Sequence, residues 1–206
     1  YVVAEGVVNA ASYRAGISPG SLATIFGVNL AAGKTATARF PWPETLAGVA
    51  VTLNGKPAPL IYVSDPQINL LVPASLAEGT ADLVVSTALG ISSTVRIPVA
   101  GVSPGIFFDP TTNLGAVRVA GDFVEIYATG LGPVRADGGL YQTELSPQVF
   151  IGGMTAGEVT YSGLAPGWLG VYQVNARVPA GVPSGTQTLW LTIGGQRSNE
   201  VRVRLQ

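Results

Sequence analysis

The sequence repeats itself. Gly20-Ser21-Leu22-Ala23-Thr24-Ile25-Phe26 aligns with Gly121-Asp122-Phe123-Val124-Glu125-Ile126-Tyr127, a shift of 101 from Ile25 to Ile126. Val51 to Ser64 aligns with Val149 to Ser162, a shift of 98 that matches Gly55 with Gly153, Ala58 with Ala156 and Ser64 with Ser162. Gln67-Ile68-Asn69 then aligns with Gln173-Val174-Asn175, and Val72-Pro73 with Val178-Pro179, at a shift of 106. The step from 98 to 106 places an eight-residue insertion in the second copy, around Gly163 to Gly170. A duplicated stretch of this length is a module used twice, and each copy must close its own core. Each copy has the size of one immunoglobulin-like sandwich. The expected domains are residues 1–101 and 102–206, joined near Ala100 to Pro104.

Within each copy the signal is strand after strand. Short β-branched runs recur between Gly, Pro, Asn and Asp. They cover Gly48–Leu53, Leu60–Ser64, Asp82–Ser86, Thr94–Val99, Asp122–Ala128, Gln148–Ile151, Gln187–Ile193 and Glu200–Leu205. Side chains alternate along a strand, so Leu189, Leu191 and Ile193 share one face, and Thr188, Trp190 and Thr192 the other. Leu83 and Val85 likewise share a face. No amphipathic helix stands out. Pro73 to Glu78 reads as a turn, or one short helical turn at most. The expected fold is all-β: two tandem immunoglobulin-like sandwiches.

Composition then removes whole classes of chemistry. The chain has no His and no Cys. Ser-His-Asp and Cys-His nucleophile pairs, His or Cys zinc sites and disulfides are therefore out of reach. A formal charge of −1 and a pI near 5.4 argue against an electrostatic nucleic-acid partner. Mean hydropathy is +0.40, yet no apolar run approaches the ~18 residues of a spanning helix, so no membrane insertion is expected. The only Met is Met154, and a chain opening at Tyr1 reads as a processed or excised piece.

Several runs carry a family resemblance. They are Gly6-Val7-Val8-Asn9-Ala10-Ala11-Ser12, Pro19-Gly20-Ser21, Ile25-Phe26-Gly27, Tyr62-Val63-Ser64 and Ser103-Pro104-Gly105-Ile106-Phe107. Ile126-Tyr127-Ala128-Thr129-Gly130-Leu131-Gly132-Pro133 and Gly163-Leu164-Ala165-Pro166-Gly167 through Tyr172-Gln173-Val174-Asn175 complete the set. Together they resemble the uncharacterised C-terminal domain family abundant in Solibacter-type Acidobacteria. Each half is also similar to IPT/TIG-type (E-set) immunoglobulin-like domains. The resemblance covers nearly the whole chain and implies export. It implies no activity, cofactor or catalytic residue.

The remaining candidates are few. Asp109 and Asp137 lie in loops where a hard cation would find oxygen ligands. Without any EF-hand spacing, they read as turn formers that bond their own backbone. Lys34 and Lys56 are the only lysines, and an isopeptide bond would need one buried beside an acid. Lys56 follows Asn54-Gly55, a type I′ hairpin signature, and Lys34 sits among small polar residues; both read as solvated. Gly130-Leu131-Gly132-Pro133 lacks a following helix and reads as a strand-ending turn, not a phosphate loop.

Aromatics hold more interest. Trp42 sits between two prolines, Trp168 lies in the inserted segment, and Trp190 falls on the polar face of its strand. Tyr127, like Phe26 in the first copy, is out of phase with the buried-type Ile126 and Ile25. Such rings cover sandwich ends, anchor protein contacts or stack on sugars. Only 11% of residues are charged, against about 25% in an ordinary soluble domain, and uncharged strand-rich surfaces pair with neighbours. Tyr1, Val2, Val3, Val7 and Val8 form an extended apolar segment that either completes its own sheet or adds a strand to a neighbouring subunit.

The expectation is a non-enzymatic, secreted bacterial surface module, structural or adhesive, acting as a stalk or as a repeating subunit of an extracellular filament. Its partners would be itself or other surface proteins. The alternative is a carbohydrate-binding accessory module, with polysaccharide as partner. No cofactor or metal is expected.

Overall fold

The structure is a computed structural model that describes residues 1–206. It is all-β and divides into two compact units, Tyr1–Gly101 and Val102–Gln206. The first unit contains β1 Val2–Asn9, β2 Leu22–Gly27, β3 Ala36–Thr37, β4 Thr45–Leu46, β5 Val49–Leu53, β6 Lys56–Pro57, β7 Leu60–Val63, β8 Gln67–Leu71, β9 Gly79–Thr87, β10 Gly90–Ile91 and β11 Val95–Val99. In the second lie β12 Gly105–Ile106, β13 Val117–Ala120, β14 Phe123–Thr129, β15 Val134–Asp137, β16 Leu140–Thr143, β17 Gln148–Ile151, β18 Met154–Thr155, β19 Val159–Leu164, β20 Tyr172–Arg177, β21 Gly185–Ile193, β22 Gln196–Arg197 and β23 Val201–Leu205. Pro73–Glu78 is a turn closed by the Leu76 amide on the Pro73 carbonyl, 3.0 Å.

Each unit is a sandwich of two antiparallel sheets. In the first unit the sheets run β1-β2-β8-β7-β3 and β10-β9-β5-β4, with β11 also on β9 and β6 on β5. The second repeats this plan, with β14-β20-β19 in place of β2-β8-β7 and β17-β21 in place of β5-β9. Alternation explains the cores. Val49, Val51 and Leu53 face inward with Leu83 and Val85, against Ile25, Ile68 and Leu70 of the other sheet. Val149, Ile151, Leu189, Leu191 and Ile193 do the same against Ile126 and Val174. Each such side chain contributes about 1.5–3 kcal/mol relative to an exposed one.

The repeat extends further than the sequence alignment. Asn9 Oδ1 accepts the amides of Ala11 and Ser12 (2.8 and 3.0 Å), and Asp109 Oδ1 those of Thr111 and Thr112 (2.7 and 3.2 Å). Both loops close through a left-handed residue, Tyr13 (φ 55°) or Asn113 (φ 56°). Ser92 and Ser198 each accept a strand amide at 3.0 Å, from Val85 and Leu191. Beyond these loops the chain returns to a parallel contact in each unit, Ile17 beside Val99 and Leu114 beside Arg202.

The insertion is divided otherwise than the eight-residue reading suggests. Tyr62 pairs with Asn69, seven positions on, whereas Tyr161 pairs with Asn175, fourteen on. Seven added residues therefore lie in the β19–β20 hairpin. The eighth precedes β19, after Ala156, whose amide reaches Val149 as that of Ala58 reaches Val51. Ser162 thus stands where Val63 does, one place off the alignment with Ser64.

Candidate functional site

The duplicated Gln-x-Asn lies on the central strand of the first sheet in each unit. Ile68 and Leu70, or Val174 and Ala176, point inward and are buried. Period-2 alternation therefore turns Gln67 and Asn69, or Gln173 and Asn175, to the outer face, where all four are half-buried. Gln67 Nε2 donates to Asn69 Oδ1 at 2.8 Å, and Gln173 Nε2 to Asn175 Oδ1 at 2.9 Å. Neither Gln Oε1 nor Asn Nδ2 is used within the protein. Register adds a ring on each side. Phe26 lies opposite Gln67 and Tyr62 opposite Asn69; Tyr127 lies opposite Gln173 and Tyr161 opposite Asn175.

The surroundings of this face differ between units. In the first, Thr24 Oγ1 donates to Asn69 Oδ1 at 3.1 Å, and the Tyr13 ring lies 6.2 Å from Phe26. In the second, Glu125 replaces Thr24 and is gripped by Arg118 through two bonds, one of 2.7 Å from Nε. The Arg118 guanidinium holds the Glu125 carboxyl below its ordinary range, chiefly by hydrogen bonding, with a smaller part from the Tyr127 hydroxyl. Tyr161 lies along the sheet over Gly163, where a Cβ would meet the Tyr161 oxygen at 2.6 Å. Its hydroxyl donates to the Leu164 carbonyl at 2.7 Å, and burial raises its pKa above the ordinary tyrosine value.

The sequence-derived contact residues fall into different settings. Val2, Val7 and Val8 are buried, and β1 pairs with β2 of its own sheet. Of the two roles open to Tyr1–Val8, completing its own sheet is the one realised, and these three valines are not available to a neighbour. Tyr1 and Val3 remain exposed. Trp42 is half-buried and meets Phe40 edge-on at 5.9 Å; Phe40 is the exposed member, beside a cis Phe40–Pro41 bond. Trp190 is on the outer face, as alternation requires, but both its faces are covered. Phe150 stacks at 3.7 Å and 11° on one side, and the Arg197 guanidinium lies 4.1 Å from its centroid. It offers an edge, not a flat platform, to a ligand.

Trp168 is different, at 65% exposed. It closes a Pro166-Gly167 turn, with Gly167 at φ 81° and the Trp168 amide on the Ala165 carbonyl at 2.9 Å. Pro at the second and Gly at the third position are what a type II turn requires. Leu169 beside it is exposed. Gln142 of β16 pairs with Gly163 of β19, which brings exposed Tyr141 and Leu140 alongside the base of this hairpin. A second apolar cluster lies in the first unit, where Tyr1, Leu89 and Ile91 border a cleft of about 190 Å³ floored by Val2, Leu30 and Val85.

Other candidates have structural roles. Asp109 caps its own loop, and Asp137 accepts from Gln142 Nε2 at 2.8 Å. No group of three or more metal-ligating side chains is present. Asn54 (φ 49°) and Gly55 (φ 72°) form the type I′ turn expected of them. Lys34 is exposed, whereas half-buried Lys56 donates to the Ser75 carbonyl and hydroxyl. Gly130–Pro133 ends β14 and is tied down from the inserted hairpin. The buried Tyr172 hydroxyl donates to the Gly132 carbonyl at 2.6 Å, and Thr129 Oγ1 to the Gly170 carbonyl at 2.6 Å. Burial pushes the Tyr172 hydroxyl up to about 12.

No family model matches the chain, and no curated protein does. Among solved structures it is similar to a Bacteroides ovatus mixed-linkage glucan utilization locus SGBP-B in complex with a mixed-linkage heptasaccharide, at 15% identity and a TM-score of 0.38. That match covers 92% of this chain and 43% of the other, so the chain spans less than half the SGBP-B length. Titin Ig tandem domains A164–A165 match at 11% identity and a TM-score of 0.25, over 93% of this chain and 91% of theirs. The Escherichia coli adhesin FdeC matches at 12% and 0.29, over 97% and 63%. These likenesses carry no role or partner over to this chain, whose two sandwiches follow from its own strand pairing.

Proposed function

We propose that the chain is a non-catalytic contact module of an exported bacterial surface protein, a stalk or repeating subunit that assembles with copies of itself or with other surface proteins. The observation that carries this reading is the exposed apolar hairpin of the second unit, with Trp168 and Leu169 on its tip and Leu140 and Tyr141 beside its base. A tryptophan held outward by a closed turn loses little conformational freedom on binding, and such anchors dominate interface energies. The low charge supports the same reading, since interface cores are depleted of charged residues. The resemblance to the Solibacter-type family supports export.

The test is light scattering and negative-stain electron microscopy of the untagged chain across a concentration series, beside Trp168→Ala. The expected result is concentration-dependent assembly that the variant weakens. Monodisperse 21 kDa particles at every concentration, with no partner retained through Trp168, would remove the reading.

A further inference from the structure

We infer that the outer amide–aromatic face, built once in each sandwich, is a glycan-binding face for an uncharged polysaccharide. It uses residues distinct from the apolar hairpin, so it stands independently of the assembly reading. The argument starts from the polar atoms left over. After the internal Gln–Asn bond, each face retains one carbonyl acceptor, Gln67 or Gln173 Oε1, and one amide donor, Asn69 or Asn175 Nδ2. A sugar hydroxyl both donates and accepts, so two neighbouring hydroxyls satisfy such a pair, whereas an anion or a cation satisfies one half only. The internal bond also fixes both amides before a ligand arrives, which lowers the entropy lost on binding.

The flanking rings supply the apolar half of the recognition. Phe26 and Tyr62 in the first unit, Tyr127 and Tyr161 in the second, stand on the strands either side of the amides. Tyr161 is held along the sheet by its bond to Leu164, the posture in which a ring meets the C–H face of a pyranose. Charge points the same way. The first face carries Thr24 where the second has Glu125, and Glu125 is neutralised by Arg118. Neither face presents a net charge from these groups, so the fitting ligand is neutral. β8 and β20 are interior strands whose backbone groups are already paired, so a peptide cannot bind there by adding a strand. Finally, the face occurs twice in one chain. A polymer of repeating sugars therefore finds two such sites on each molecule.

Native affinity electrophoresis of the full chain tests this, in gels containing soluble mixed-linkage β-glucan, arabinoxylan or galactomannan, with pectin as the charged comparison. Compared with wild type are Gln67→Ala, Gln173→Ala, the double variant, and, as an amide control away from the face, Gln196→Ala, an exposed residue of β22 in the other sheet. Gln67→Met with Gln173→Met keeps the side-chain shape and decides the matter if the alanine variants unfold. The expected result is retardation in at least one neutral gel, weakened several-fold by each single variant, at least tenfold by the double, and unchanged by Gln196→Ala. Mobility unaffected by all three neutral polymers, retardation by pectin alone, or retardation that survives in both double variants would overturn the inference.

Discussion

Replacing Tyr172 by Phe isolates one buried hydrogen bond and its pH dependence. The ring of Tyr172 is 2% exposed, and its hydroxyl donates to the Gly132 carbonyl at 2.6 Å. Phe keeps the packing and leaves a buried carbonyl facing a ring edge, a loss of about 1–3 kcal/mol. In a domain of this size about 2 kcal/mol lowers the melting temperature by roughly 10 °C. Only the second unit's transition should move. The sign of the pH effect follows from burial, which raises the folded-state pKa to about 12 from the ordinary 10. The unfolded tyrosine ionises first. The hydroxyl's contribution is therefore complete below pH 10 and is lost as pH rises toward 12. At about 1.4 kcal/mol per pKa unit, that loss is on the order of 2–3 kcal/mol. Wild type and Tyr172→Phe should differ at pH 7 and converge by pH 12. Calorimetry from pH 7 to 12, with tryptophan fluorescence in a Trp42→Phe background so that only Trp168 and Trp190 of the second unit report, measures both curves. Equal stability at pH 7, or a gap constant across the range, would refute the argument.

Three further outcomes are expected. Ile25→Ala and Ile126→Ala each truncate a fully buried side chain at equivalent places, and each should cost about 2–5 kcal/mol in its own unit's thermal transition while leaving the other in place. Gly163→Ala would set a Cβ 2.1 Å from the Tyr141 carbonyl oxygen, so β16 should separate from β19; faster amide exchange across Leu140–Thr143 would report it. Glu125→Gln removes a carboxylate whose pKa Arg118 lowers, so the stabilisation that wild type gains above the ordinary carboxylate range, and loses as pH falls through the depressed value, should vanish from acid unfolding curves, while an unchanged acid limb would mean the pair contributes nothing.

Strand positions and the inward faces of β9 and β21 were legible in the sequence because they rest on local alternation. Where the chain bulges, that count fails. Val2 and Val7 are five apart, yet both are buried, because the register shifts between them. The Gln-x-Asn pair was visible as a repeat but not as a site. Its meaning depends on which residues lie opposite, and Phe26 meets Gln67 only through the β2–β8 pairing. Trp190 shows the same limit. Alternation places it outward, but Phe150 and Arg197, which cover it, come from other strands. The strand edges also ran longer than the β-branched runs, since Gly79 and Gly185 each open a nine-residue strand that composition alone does not extend so far.

The parallel contacts near the start and end of each sandwich have a mechanical consequence. The Ala100 amide holds the Ile17 carbonyl at 3.0 Å; in the second unit, Gly115 donates to Arg202 at 2.9 Å, and Arg202 to Asn113 at 2.8 Å. Tension drawn through a parallel pair from opposite ends strains its bonds together, in shear, whereas a hairpin pulled open breaks them singly. A chain placed in series between a cell and its surroundings would meet its load at these seams, with its resistance set by how fast they give way and not by equilibrium stability.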